Sequence, residues 1–127
     1  MKIDHTAIYV RDLERTKRYY EKYFGAKSNN LYHNPKTGLR TYFLSFENDC
    51  RLEIMHKPAL TEIEIDGEHF GYIHLAFSVG SKEAVDALTE TLRSDGYRIF
   101  SEPRVTGDGY YESCVSDPDV NRIEIIA

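Results

Sequence analysis

Apolar and polar residues alternate most sharply over residues 72–79, Tyr-Ile-His-Leu-Ala-Phe-Ser-Val. At a strand's period of two, Ile73, Leu75, Phe77 and Val79 form one wholly apolar face that should pack. Tyr72, His74, Ala76 and Ser78 form a small, polar face with one imidazole in it. The form recurs near the N-terminus, where residues 3–10 read Ile-Asp-His-Thr-Ala-Ile-Tyr-Val and His5-x-Ala7-x-x-Val10 matches His74-x-Ala76-x-x-Val79. After the first copy, Asp12 is a good N-cap for a helix over 13–24, with Leu13, Thr16, Tyr20 and Phe24 on one face and Gly25 as its stop. A short strand over 27–33, a turn from His33 to Gly38, and strands over 40–47 and 51–56 around Glu47-Asn48-Asp49 follow. After the second copy, Ser81 caps a helix over 82–95 whose stripe is Val85, Leu88 and Leu92, and Gly96 closes it. A strand over 97–101, a loop over 103–109, and strands over 110–116 and 121–126 joined by Asp117-Pro118-Asp119 complete the second half. The polar stretch 58–70, with an Asp66-Gly67 pair and room for a short strand over 62–65, connects the halves.

Both halves therefore read βαβββ, and the chain reads as an α+β protein built by internal duplication. Its 127 residues fit a single domain large enough to bury a core, with module one at about 1–57 and module two at about 71–127. The composition, 41% hydrophobic and 29% charged, is that of a globular protein, and no apolar run reaches membrane-spanning length. A net charge of -5 argues against a nucleic-acid partner, which would need a basic stripe. Cys50 and Cys114 show no metal spacing and read as buried or partly buried thiols of a reducing compartment. Lys2 and Asp4 sit where a signal peptide's apolar segment would begin, so the expected location is the cytoplasm.

The duplication extends to the last strands: Cys50-Arg-Leu-Glu-Ile-Met55 matches Asn121-Arg-Ile-Glu-Ile-Ile126. The spacing agrees, with 48 residues from His5 to Glu53 and 50 from His74 to Glu124. Leu52 and Ile54 flank Glu53, and Ile123 and Ile125 flank Glu124, so both carboxylates should leave the sheet on the side away from the helices. A glutamate among β-branched neighbours is disfavoured by propensity and is seldom buried unless paired. One bland alternative pairs Glu53 with Arg51 and Glu124 with Arg122 on a solvated face. Two imidazoles and two carboxylates at matched repeat positions instead suit a borderline divalent ion such as nickel, zinc, manganese, cobalt or iron. Waters would complete the shell, leaving the open positions that catalysis needs. A substrate with neighbouring oxygens would displace them, the ion would stabilise a metal-bound enediolate, and a ligand carboxylate would serve as base.

The segments His5-Thr-Ala-Ile-Tyr-Val-Arg-Asp-Leu, Tyr19-Tyr20…Phe24-Gly25, His74-Leu-Ala-Phe-Ser-Val and Asp117-Pro-Asp-Val-Asn-Arg-Ile-Glu-Ile together resemble the vicinal oxygen chelate superfamily, also called the glyoxalase/bleomycin-resistance/dioxygenase superfamily. That resemblance implies two tandem βαβββ modules forming a curved, partly open eight-stranded sheet with the helices on its outer face. Ligands in the order His, Glu, His, Glu most resemble the short bacterial glyoxalase I type. The implied activity is that of a lactoylglutathione lyase, isomerising a hemithioacetal to a hydroxyacyl thioester, with His5, Glu53, His74 and Glu124 as metal ligands. Glu124 would then abstract the proton, with Glu53 as its symmetric counterpart. The sequence departs from that type at the thiol site. Tyr9 stands where a glutathione-grasping Arg is expected, Lys57 where an Asn is expected, and Thr106 where a basic residue is expected, with Arg104 nearby.

Tyr9, Lys57, Arg104 and Tyr110 are accordingly candidate substrate-binding residues. Other reactions of the superfamily (epimerisation, thiol transfer, dioxygenation) and a metal-free drug-binding resistance protein are the alternatives. Most of these leave the second glutamate ligand unexplained. Unpaired sheet edges, and sites built by halves from two chains in this superfamily, imply a homodimer. His33, His56 and His69 read as solvated loop residues, with His56 a further candidate for the rim near Glu53. Tyr9, Tyr42, Tyr72, Tyr110 and Tyr111 are candidates to line an aromatic pocket.

Overall fold

The computed structural model describes residues 3–62 and 70–127. The chain divides into two compact units, Met1–Ile63 and Glu64–Ala127, the first in the order βαββββ and the second βαβββ. The strand expected over 62–65, the Asp66-Gly67 pair and His69 lie outside the described residues, apart from Glu62, which is not in a strand.

Unit one runs β1 (Thr6–Tyr9), α1 (Leu13–Phe24), β2 (Lys27–Ser28), β3 (Tyr32–His33), β4 (Arg40–Ser45) and β5 (Arg51–His56). Helix α1 begins as its cap predicts: the Asp12 carboxylate accepts from the Arg15 backbone N–H at 2.9 Å. It ends at Gly25, whose φ of 64° is left-handed and whose N–H bonds back to the Tyr20 carbonyl. Its buried face is Leu13, Thr16, Tyr19 and Tyr20, which meets Leu44, Leu52 and Ile54 from β4 and β5. The sheet order is β1-β5-β4-β2, with β3 also on β4, and β1 runs parallel to β5. A single strand over 27–33 becomes two because Asn29 interrupts the ladder. Its backbone N–H donates to the Phe43 carbonyl at 3.0 Å, while its side-chain oxygen accepts from the Phe43 N–H at 2.8 Å. The turn before β5 is one tight 3₁₀ turn over Glu47–Asp49. It leaves Cys50 exposed, against the expectation of a buried thiol.

Unit two runs β6 (His74–Ser78), α2 (Lys82–Ser94), β7 (Ile99–Val105), β8 (Tyr111–Ser116) and β9 (Arg122–Ile126), with sheet order β6-β9-β8-β7 and β6 parallel to β9. Ser81 caps α2 by accepting from the Ala84 N–H at 3.1 Å. Its buried face is Val85, Thr89 and Leu92 rather than Val85, Leu88 and Leu92. Thr89 takes that place because its hydroxyl is satisfied inside, at 2.7 Å from the Val85 carbonyl and 2.6 Å from the Ser113 hydroxyl. The loop expected from Pro103 instead continues β7 to Val105, with register shifts against β8 either side of Ser101. Proline is tolerated there because β7 is an edge strand. Strand β6 is also an edge, so its apolar face is only half covered: Leu75 and Phe77 are half-buried and Ile73 is 46% exposed.

The two units thus give an α+β fold, as the sequence implies, with nine strands among the described residues, in a five-stranded and a four-stranded sheet, rather than eight. Among the described residues, no helix is long and apolar enough to cross a membrane.

A pH dependence follows from the contact that ties α1 to β4. Tyr42 donates its hydroxyl to Glu14 at 2.5 Å and Lys17 lies 2.7 Å from the same carboxylate. The lysine and the tyrosine hold the Glu14 carboxyl below its usual range. A folded pKa below the unfolded one contributes stability that is present above the unfolded pKa and lost as pH falls through the folded one. Glu14→Gln should therefore lose less stability than wild type between neutral pH and pH about 3, measured by urea melts at each pH. Parallel losses would contradict this.

Candidate metal and active site

The parallel pairing of first and last strands sets the site in each unit. Ala7 lies across from Glu53 on β1 and β5, and Ala76 across from Glu124 on β6 and β9. Each histidine stands two residues before its alanine, on the alanine's face, so each reaches diagonally toward the glutamate of the neighbouring strand. His74 is the first residue of β6, whereas His5 immediately precedes β1. Leu52, Ile54, Ile123 and Ile125 all point into the cores, at 0–3% exposure. Each glutamate side chain is mostly covered, 16% exposed for Glu53 and 19% for Glu124, beside a half-exposed imidazole.

The two pairs differ in detail. In unit one, His5 Nε2 lies 3.7 Å from Glu53 Oε2, too far for a hydrogen bond. In unit two, His74 Nδ1 lies closer, 3.1 Å from Glu124 Oε1, as an ion-pair contact. Two ligands of one ion, each about 2.1 Å from it, are at most about 4.2 Å apart. Both pairs meet that limit, and their nitrogen and carboxylate donors suit the same class of ion. Among the described residues, no three His, Cys, Asp or Glu side chains gather into a ready metal site, so each pair is a two-donor set.

Neither glutamate is committed to the arginine two residues before it. Arg51 pairs with Asp4 and stacks over Phe43 at 5.1 Å. Arg122 stacks over Phe100 at 4.6 Å, as Arg98 does. Burial pushes the Glu124 carboxyl up; His74 and Arg104 oppose that rise, while Glu112 and Asp108 add to it. Arg104 reaches this face from β7, 3.7 Å from Glu112 and donating to Ser101 at 2.7 Å. Tyr9 shares the His5–Glu53 face, with the Lys57 ammonium 5.3 Å from its ring centre. Tyr110 is exposed beside the β7–β8 turn.

Four other candidates fall elsewhere. His56 is on the helix-side face of β5, where its Nδ1 meets the Val10 carbonyl at 2.8 Å, so it is a tie between β5 and β1 and not a rim group. Tyr42 is 7% exposed and bonded to Glu14, and Tyr111 donates to Asp86 of α2 at 2.7 Å, so both sit on the helix side of their sheets. Tyr72 is 97% exposed. One contributor escaped the sequence reading: Asp4 Oδ2 lies 2.9 Å from His5 Nδ1. Its signal was an acidic residue adjoining a ligand-type histidine.

The loop before β9 fixes where Glu124 stands. The Asp117 carboxylate accepts from the backbone N–H groups of Asp119 and Asn121 and from the Asn121 amide, each at 2.9 Å. These bonds hold Val120 in a left-handed conformation, φ 68°, that a β-branched residue otherwise avoids. Burial raises the Asp117 carboxyl, and the hydrogen bonds from Asn121 and Asp119 work against that rise.

With this fold and these paired residues, the chain belongs to the Glyoxalase/Bleomycin resistance protein/Dioxygenase superfamily, whose model matches residues 2–125. It is 30% identical to the uncharacterized protein YqjT of Bacillus subtilis, over 97% of this chain and 96% of that one. It is 28% identical to a lactoylglutathione lyase of Haemophilus influenzae, over 99% of this chain and 92% of that one. The crystal structure of a glyoxalase family protein from Enterococcus faecalis is similar at a TM-score of 0.81 and 26% identity, covering 99% of this chain and 97% of that one.

If His56 is a structural tie, His56→Ala should lower unfolding stability by about 1 kcal/mol, the usual net worth of such a hydrogen bond. An unchanged denaturation midpoint would contradict that assignment.

Proposed function

We propose that this chain is a divalent-metal-dependent lyase or isomerase of glyoxalase I type, acting on a small substrate with neighbouring oxygens. The observation that carries the reading is the repeated register: one imidazole and one carboxylate, diagonal across the parallel strand pair, in each module. His5, Glu53, His74 and Glu124 would hold the ion, nickel or zinc by preference. Bound there, the ion supplies Lewis acidity toward two adjacent substrate oxygens. Glu124 would take the proton from the carbon that bears one of these oxygens and return it to the adjacent carbon that bears the other, while the hydroxyl proton passes from the first oxygen to the second, so the substrate is isomerised with no atom gained or lost. Glu53 has the symmetric place. Tyr9, Lys57, Arg104 and Tyr110 orient the rest of the substrate. The 28% identity to a lactoylglutathione lyase supports the reaction class. Tyr9, in place of a thiol-anchoring arginine, favours a thiol other than glutathione.

Among the described residues, the edge strands β1 and β6 are each paired on one side only within their sheets. We infer a homodimer in solution, and its mass by light scattering at micromolar protein is the check.

Elemental analysis after reconstitution with Ni²⁺, Zn²⁺, Mn²⁺, Co²⁺ or Fe²⁺ should find one ion per chain, lost in His74→Ala. Loading no higher than that control would sink the metal reading. On a panel of 2-oxoaldehyde–thiol adducts, Glu124→Gln should keep most of its metal yet turn over roughly 10² to 10⁴ times more slowly, the usual share of general-base catalysis. Glu53→Gln should cost less. Wild-type turnover by Glu124→Gln at equal occupancy would exclude this base.

A further inference from the structure

The two histidines have equivalent places on the backbone, but among the described residues only His5 has a further carboxylate behind it. Asp4 Oδ2 lies 2.9 Å from His5 Nδ1, and Arg51 from β5 pairs with the same oxygen. An ionised carboxylate only accepts, so the Nδ1 facing it carries the proton and the lone pair is left on Nε2. That nitrogen is the one aimed at Glu53, 3.7 Å away, with no hydrogen bond closing the gap. The edge of the imidazole also meets the Phe43 ring at 5.2 Å, and Arg51 stacks over the same ring. Aspartate, arginine and phenylalanine together restrict how the ring can turn.

Module two supplies an internal control. The residue before His74 is Ile73, which has nothing to accept with, and the arginine matching Arg51 is Arg122, which stacks on Phe100 instead. His74 Nδ1 instead faces Glu124 itself, 3.1 Å from its Oε1.

We propose that Asp4, held by Arg51, is a positioning residue that presets the tautomer and orientation of His5 for metal binding through Nε2. The inference rests on the metal-binding reading above. It makes His5–Glu53 the pair whose imidazole is preset by an outer carboxylate, a support that Ile73 cannot give His74. Outer carboxylates of this kind orient ligand imidazoles and raise their basicity.

The first readout needs no metal. Ring ¹H–¹⁵N correlation spectra of the metal-free protein, at a pH where both imidazoles are neutral, should show His5 protonated at Nδ1. In Asp4→Ala the His5 signals should move toward the Nε2-protonated form, while those of His74 stay in place. Asp4→Asn keeps an accepting oxygen and should preserve the wild-type tautomer, which separates positioning from charge. The second readout is Ni²⁺ titration of the same proteins. The dissociation constant should rise roughly 10- to 100-fold in Asp4→Ala and less in Asp4→Asn. The same His5 tautomer in wild type and Asp4→Ala, or equal nickel affinity in the two, overturns the positioning role and leaves the metal reading standing. Nickel failing to bind wild type overturns both.

Discussion

Each module depends on its first and last strands lying side by side in parallel. Parallel neighbours cannot be joined by a tight turn, so the chain must leave the sheet and return, and the helix is that crossover. The helix covers one face of the sheet, which is why Leu52, Ile54, Ile123 and Ile125 are buried at 0–3% exposure. Alternation then leaves Glu53 and Glu124 no choice but the other face. A slip of one residue in the β1–β5 or β6–β9 pairing would send the glutamates into the cores and the apolar residues out. Burial of the apolar set therefore holds the polar set in register. The polar face needs no stabilising contact of its own to be well placed.

This coupling explains what was legible in the sequence. The period of two and its repetition placed the four ligand-type residues on equivalent strands without knowledge of any contact. Helix limits were legible for a similar reason, since caps and stops are local chemistry: Asp12, Ser81 and Gly25 act within one turn of where they stand. Residues whose role depends on a distant partner were not legible. His56 looked like a loop residue near Glu53, but it closes the last position of β5, and the same alternation that exposes Glu53 turns it toward Val10. Tyr42 and Tyr111 looked like pocket aromatics until Glu14 and Asp86, on the two helices, claimed their hydroxyls. The length of β7 was missed because Pro103 reads as a strand breaker. Only the topology shows that β7 is an edge with no neighbour to disappoint on one side.

The duplication conserves backbone relations more faithfully than surroundings. Both glutamates sit opposite an alanine, yet across the antiparallel ladder Glu53 faces Phe43 and Glu124 faces Cys114. Both histidines lead a parallel strand, yet one leans on Asp4 and the other on its own glutamate. Register is imposed by many hydrogen bonds and a buried core acting together, so single substitutions cannot move it. A side chain's partner is decided by one or two residues, and those drift freely between repeats.

Inequivalence of this kind has chemical use. A symmetric pair of carboxylates would address the two faces of a planar reacting carbon alike, and a chiral product would then carry no preference. Here the symmetry is broken at the side chains while the backbone keeps it. Glu124 is pushed up by burial and shares its face with Glu112 and Arg104, whereas Glu53 lies beside an imidazole that Asp4 also contacts. On the proposed reading, that difference in surroundings is what lets one carboxylate act as the base while the other, in the same backbone place, does not.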